Sequence, residues 1–270
     1  MFVELERLAA KPETASPAAP VHAPPTRTVT LRVYRQPARA DAAPSMAAYQ
    51  VPLAPGMTVL DALLWIKEHV DPTLAFRSSC RMGICGSCGM LIDGEPRLAC
   101  EIQITELGEG AVEVAPLPAF PVVRDLATDF TDFFAHHRTI KPFVVRRENG
   151  DLSPLEEELR VTPDERLASF QFTMCIMCGL CDAACPVAAT DPEFLGPQAL
   201  AQAYRFAADT RDEAGSERAR IVDTVHGCWR CELAGSCSAV CPKGVDPALG
   251  VQLLKRRVLR DRFARKRRPR

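Results

Sequence analysis

From Thr28 the chain alternates, with Val29, Leu31 and Val33 apolar and Thr30, Arg32 and Tyr34 between them. That period of two predicts a half-buried strand. A second strand is expected near Tyr49–Leu53. Thr58 then precedes Leu60, Leu63, Leu64, Ile66 and Val70 at helical spacing, and Asp71-Pro72 ends the run. Gly89–Ile92 and Arg97–Ile104 read as short strands joined through Asp93-Gly94, with Ala111–Val114 a further one. Strands, one helix, then strands again predict an α+β domain over residues 28–125. Beyond the proline-spaced segment Pro116–Pro121 little alternates. Leu126, Phe130, Phe133 and Phe134 fall at helical spacing, which predicts a packed helix face and an all-α domain over 126–254.

Residues 1–27, rich in Ala, Pro, Thr and Ser and without periodicity, read as a disordered leader. No apolar run approaches the roughly 18 residues of a membrane-spanning helix, so the chain is not expected to cross a bilayer by itself. The 270 residues hold 33 basic and 34 acidic side chains, a balance that hides an asymmetry. Residues 255–270 carry ten Lys or Arg and only Asp261, which leaves a net −10 on the rest. Such a basic tail reads as a solvated end or as a segment drawn to an anionic membrane surface. No aromatic stacking motif accompanies it, so nucleic acid is not an expected partner.

Twelve cysteines change the picture most. The N-terminus, Met1-Phe2-Val3-Glu4-Leu5-Glu6, lacks the basic and apolar regions of a secretory signal, and clustered thiols in a reducing compartment point to metal rather than disulfides. Cys175-x2-Cys178-x2-Cys181-x3-Cys185-Pro186 recurs 56 residues later as Cys231-x2-Ala234-x2-Cys237-x3-Cys241-Pro242. Every position repeats in register except Ala234, which stands where a thiol is due. In this bacterial-ferredoxin run three cysteines hold one cluster and the fourth reaches the other. Cys175, Cys178, Cys181 and Cys241 then surround a 4Fe–4S cluster. Cys185, Cys231 and Cys237 supply only three thiolates, which suit 3Fe–4S.

Ahead of the repeat, Cys80-x4-Cys85-x2-Cys88, followed after eleven intervening residues by Cys100, has the plant-type spacing of a 2Fe–2S cluster. Gly83, Gly86 and Gly89 permit close backbone approach, so that amide N–H groups can face the sulfurs. Zinc also takes four cysteines, and a zinc-stabilised interaction protein is a competing reading. Cys228 lies outside the register. It is either a small buried side chain or a fourth ligand that would make the third cluster 4Fe–4S. The five histidines show no ligand spacing among themselves, and no nucleotide-binding or zinc-protease motif is present. Three clusters without a substrate site describe an electron carrier.

Together these motifs resemble the iron–sulfur subunit of succinate dehydrogenase and fumarate reductase, from about Val29 to about Lys255. The run from Ser79 through Met90 is similar to the family's 2Fe–2S loop, and Arg124-Asp125-Leu126 to the segment joining its two domains. Asp191-Pro192-Glu193-Phe194-Leu195-Gly196-Pro197 and the residues from Cys237 to Lys243 lie closer to the fumarate reductase branch. The resemblance implies a plant-type ferredoxin β-grasp domain followed by a bacterial-ferredoxin-like helical domain. It also implies a FAD-bearing flavoprotein partner that interconverts succinate and fumarate, integral membrane anchor subunits that can carry haem b, and quinone as the outer electron carrier. Placement at the cytoplasmic face of a bacterial inner membrane follows from the same likeness. Where typical succinate dehydrogenases carry a quinone-site Trp and His, this chain has Val187-Ala188-Ala189 and Glu232. The fumarate reductase branch instead brings a Gln and a Lys to the quinone, matching Gln252 and Lys255, with Trp229 nearby. Their i, i+3 spacing is equally that of an exposed polar helix face. A soluble, thiol-linked fumarate reductase is the alternative assembly. Its relatives add a cysteine-rich domain, where this chain has its basic tail.

Overall fold

The computed structural model describes residues 27–36, 43–146 and 158–266. The expected leader lies outside them except for Arg27, as does the end of the basic tail after Lys266. Strand β1 (Thr28–Arg35) pairs antiparallel with β2 (Ser45–Pro52) along its whole length and parallel with β5 (Val112–Ala115). With β3 (Gly89–Ile92) and β4 (Glu95–Leu98) they form a five-stranded sheet in the order β2-β1-β5-β3-β4. Helix α1 (Val59–His69) starts in a capping box, Thr58 accepting from the Asp61 N–H and Asp61 from the Thr58 N–H. Its apolar side, Leu60, Leu63 and Ile66, joins Leu31, Val33, Val51 and Val114 in one core.

Two expectations are corrected here. The strand foreseen over Arg97–Ile104 stops at Leu98, because the chain must turn there to carry Cys100 back to the loop of Cys80–Cys88. The Ala99 N–H donates to Cys88 O at 3.1 Å, and a 3-10 turn occupies Ile104–Leu107. After Pro121 the chain first makes a small hairpin, β6 (Val122–Arg124) and β7 (Ala127–Thr128), before α2 (Thr131–Thr139). Leu126 therefore packs into the sheet domain's core and not on a helix face. Phe120, Phe130, Phe133 and Phe134 form an aromatic cluster beside it, Phe120 stacking on Phe130 with centroids 4.4 Å apart.

The hairpin is tied to β1 by a charged network. Arg35 donates to Asp71, to Tyr49 Oη at 2.6 Å and to Asp125 Oδ1 at 3.1 Å. Buried Asp125 also accepts the N–H groups of Gln36 and Ala75, each at 2.9 Å. The Thr73 hydroxyl, then Arg35 and Tyr49, hold Asp71 below the usual carboxylate range against the opposing effect of its partial burial. A carboxyl depressed in the folded state adds stability above its unfolded value, roughly 3.9, and loses it as the pH falls towards the folded one. Asp71→Asn should therefore cost about 1 kcal/mol at pH 7, the gap from wild type closing below about pH 4. Urea unfolding of the full chain at several pH values measures that gap, and a pH-independent difference would refute the linkage.

The second half is helical: α3 (Pro163–Thr173), α4 (Leu180–Ala183), α5 (Gly196–Ala207), α6 (Gly215–Val222), α7 (Ser236–Ala239) and α8 (Pro247–Lys266). Leu200, Ala203 and Phe206 of α5 share a core with Val251, Leu254 and Val258 of α8. The boundary expected between 254 and 255 thus falls inside a continuous helix. Val258 is 1% exposed, and Arg257 donates to Ala207 O at 3.1 Å, so the basic segment begins within the packed domain. On α6, buried Arg218 pairs with the buried carboxylate of Asp212 and donates to the carbonyls of Ile140, Lys141 and Phe143. Cys178, Leu180 and Ala183 belong to the sheet domain's core, so the two halves share apolar interior.

Candidate metal centres

The loop between α1 and β3 is built around its thiols. Arg81, Gly83 and Gly86 have φ of 56°, 68° and 73°, which folds the chain back on itself and turns amides inward. The N–H groups of Ile84 and Cys85 lie 3.3 Å from Cys80 Sγ, and that of Gly83 lies 3.2 Å from Cys100 Sγ. Cys88 Sγ and Cys100 Sγ are 3.3 Å apart, both residues buried, while Cys85 is exposed. The Ser87 hydroxyl, 2.8 Å from Cys85 Sγ, together with backbone N–H groups, draws that thiol down to about 6. Burial pushes Cys88 the other way, up to about 12. The structure thus gathers all four residues predicted from the plant-type spacing.

The duplicated motif is duplicated in backbone as well. Met177 (φ 54°) and Gly179 (φ 77°) flank Cys178, and 56 residues on Leu233 (φ 59°) and Gly235 (φ 79°) flank Ala234. In each copy the left-handed glycine opens a one-turn helix, α4 or α7. Cys175, Cys178, Cys181 and Cys241 line one cavity, with Gln198, Pro242 and Val245. Cys185, Cys231 and Cys237 line a second, with Ala234, Val187 and Phe194. The crossed arrangement of fourth cysteines, Cys241 with the first motif and Cys185 with the second, is the one read from the repeat. Cys228 is fully buried in the helical core and is not among the residues lining either cavity.

Burial raises Cys178 to about 12 and Cys237 to about 11, and moves Cys175, Cys181 and Cys185 upward too. Several thiols in an apolar cavity cannot all ionise unless a cation shares the space. Together with the inward amides of the first group, this donor set fits iron–sulfur clusters, whose iron supplies that positive charge and whose sulfurs accept N–H bonds.

The first and second groups touch through glycine. A Cβ added to Gly86 would lie 2.7 Å from Cys178 Cβ and 2.9 Å from Cys178 Cα. Gly86→Ala should destabilise the chain by at least about 2 kcal/mol, combining left-handed strain with overpacking against backbone. Thermal melts of the holoprotein test this, and an unchanged midpoint would contradict the contact.

Of the three residues proposed near quinone, Lys255 reaches the third group directly, its Nζ donating to Cys231 O at 2.9 Å. Trp229 donates from Nε1 to Asp223 Oδ1 at 2.7 Å, and its ring faces the Arg262 guanidinium. Gln252 lies one turn before Lys255 on α8, half-buried, with Nε2 unpartnered among the described residues. Spacing gave no hint of Asp182 or Gln198, which adjoin the second group from α4 and the start of α5. Nor did it place His226 between Asp191 and Glu193, at 3.0 and 3.2 Å. Arg230 already neutralises Asp191 there, so these groups staple two loops together. Among the described residues no helix is long and apolar enough to cross a membrane.

Comparison with known proteins agrees with this geometry. A model of the 2Fe-2S iron-sulfur cluster binding domain matches residues 30–135, and one of the 4Fe-4S dicluster domain matches residues 171–245. The fumarate reductase iron-sulfur subunit of Mycobacterium tuberculosis is 47% identical over 228 residues, 84% of this chain and 91% of that protein. The corresponding subunit of Escherichia coli is 39% identical over 84% of this chain and 91% of its own length. The succinate dehydrogenase iron-sulfur subunit of Paracoccus denitrificans is 41% identical over 74% of this chain and 76% of its own. Among solved structures, a chain of the Mycobacterium smegmatis Sdh1 complex in the apo form superposes with a TM-score of 0.74 at 28% identity, covering 87% of this chain and 97% of that one. The α+β ferredoxin domain followed by a helical ferredoxin domain is the architecture expected. The chain belongs to the family of fumarate reductase and succinate dehydrogenase iron–sulfur subunits, the electron-transfer subunits of those enzymes.

Proposed function

We propose that the chain is the relay of a quinone-linked succinate dehydrogenase/fumarate reductase, carrying electrons between the FAD of a partner flavoprotein and membrane quinone. Cys80, Cys85, Cys88 and Cys100 hold a 2Fe–2S cluster, and Cys175, Cys178, Cys181 and Cys241 a 4Fe–4S cluster. Cys185, Cys231 and Cys237 hold a 3Fe–4S cluster. These groups supply one-electron carriers whose potentials differ with cluster type, ligation and burial. The chain's own part is to space them and exclude water, and to aim N–H donors at sulfur. Exposed Met82 and Ile84 leave the first loop open to the flavoprotein. Lys255, which bonds the Cys231 carbonyl, Gln252 one turn before it and Trp229 are the residues assigned to quinone, where an ammonium and an amide can hydrogen-bond a quinone carbonyl as it gains charge. Membrane anchor subunits, which would carry any haem b, complete the assembly at the cytoplasmic face of the inner membrane.

The observation that carries this reading is the set of three thiol groups with Ala234 in the backbone position of Cys178. Low-temperature EPR of the oxidised, anaerobically purified complex should give a 3Fe–4S signal, with 2Fe–2S and 4Fe–4S signals on reduction. Zinc without iron or acid-labile sulfide would overturn the assignment. Recovery from the soluble fraction alone, with no integral subunit, would point to the thiol-linked alternative.

A further inference from the structure

The cavity of Cys175, Cys178, Cys181 and Cys241 contains a polar side chain that packing alone does not explain. Gln198, the third residue of α5, is 2% exposed and lines the cavity with Cys175, Cys178, Cys181 and Cys241. Its Nε2 lies 3.2 Å from His137 Nδ1 and 3.9 Å from Cys175 Sγ. Its Oε1 is buried with no partner among the described residues. Leaving a buried carbonyl unpaired costs about 1–3 kcal/mol, so the opposite end of the amide must be well employed.

A primary amide has two N–H groups and can serve two acceptors at once. His137, on α2, is half-buried. Burial, helped by the nearby Arg205 guanidinium, holds its imidazole below the usual range. A neutral ring offers Nδ1 as an acceptor, which fixes the amide plane and leaves the second N–H for the sulfur. The flipped amide would set a carbonyl oxygen against a thiolate, placing two electron-rich atoms together. The Gln198 backbone N–H approaches Asp182 Oδ2 at 3.4 Å, which anchors the start of α5 beside the cavity.

We propose that Gln198 donates a hydrogen bond to Cys175 Sγ, held in place by His137, and so raises the reduction potential of the 4Fe–4S cluster. The inference rests on assigning that cluster to Cys175, Cys178, Cys181 and Cys241. An N–H directed at a ligand sulfur favours the state with the greater negative charge, which is the reduced one. Gln198 is thus a positioning residue whose effect passes through Cys175.

EPR-monitored redox titration of the purified complex tests it. Gln198→Leu should lower the equilibrium constant for reduction of the 4Fe–4S centre about three- to tenfold, tenfold being 59 mV for one electron. Gln198→Glu, which replaces a donor with an acceptor, should lower it further, and His137→Phe should give a smaller fall in the same direction. The other two centres should keep their potentials. A Gln198→Leu centre with an intact signal and an unchanged potential would overturn the proposal, since a purely structural role alters occupancy and not potential. Should the variants lose the cluster, pulsed EPR of the reduced wild-type complex labelled with 15N in glutamine side chains decides instead. A 15N coupling on the 4Fe–4S signal is expected, and its absence refutes the hydrogen bond. A wild-type complex with no 4Fe–4S signal would defeat the underlying cluster assignment itself.

Discussion

Ala234→Cys should abolish the 3Fe–4S signal of the oxidised complex and replace it with a second 4Fe–4S signal on reduction. The expectation is geometric. Leu233 and Gly235 give Ala234 the same left-handed flanks that Met177 and Gly179 give Cys178, and each segment runs into a one-turn helix. Ala234 is exposed at the rim of its cavity, so one added sulfur meets no packed neighbour. A fourth thiolate retains a fourth iron and adds negative charge, which lowers the potential of the centre next to the proposed quinone residues. Electron exit then runs uphill, and succinate-to-quinone turnover should fall about tenfold or more, a tenfold change corresponding to 59 mV for one electron. Persistence of the 3Fe–4S signal in the variant would show that Ala234 does not face the third group as the repeat requires.

Arg218→Ala should be the most destabilising substitution away from the cysteines. The side chains of Arg218 and Asp212 are both fully buried. Besides the ion pair, the guanidinium serves three carbonyls of the segment after α2, and Asp212 accepts the N–H groups of Val145 and Ala214 at 2.9 and 3.0 Å. Truncation leaves a carboxylate without its counter-charge and takes the guanidinium donor from the Ile140 and Phe143 carbonyls, while Lys141 O keeps only the Phe143 N–H, at a cost of about 3–5 kcal/mol. That is a large fraction of the roughly 5–15 kcal/mol available to a domain. Arg218→Lys should recover only part of it, because a point-like ammonium cannot span the fan of acceptors. Denaturant titration followed by cluster absorbance measures the loss, and a cost under 1 kcal/mol would mean that water reaches this pair.

Much of this was legible in the chain because its strongest signals are local. The Val29–Leu31–Val33 alternation and the Thr58 cap act within a few residues, and the x2, x2, x3 spacing sets one turn of backbone around each group. The misreadings arose where tertiary demands prevailed. Leu98, Ala99 and Cys100 continue an apolar run that looks like strand, yet the chain bends there to return Cys100 to its loop. Asp125, at φ 47°, makes the turn of a hairpin that helical periodicity across Leu126 and Phe130 concealed. Arg256 and Arg260 are exposed, as a solvated segment requires, but counting charge did not show that Val258 between them is buried in the core. Gln198 carried no pattern at all, since its partners come from α2 and from a motif 23 residues away.

The apolar interior held in common by the two halves has a consequence for how such a subunit can be inherited. Cys178, Leu180 and Ala183 fill out the ferredoxin sheet's own core, and Gly86 admits the Cys178 backbone. A gene severed near residue 125 would yield two polypeptides, each with a raw oily scar where its other half had been. Each piece would persist only by finding its complement again, so the covalent joint spares the molecule that search.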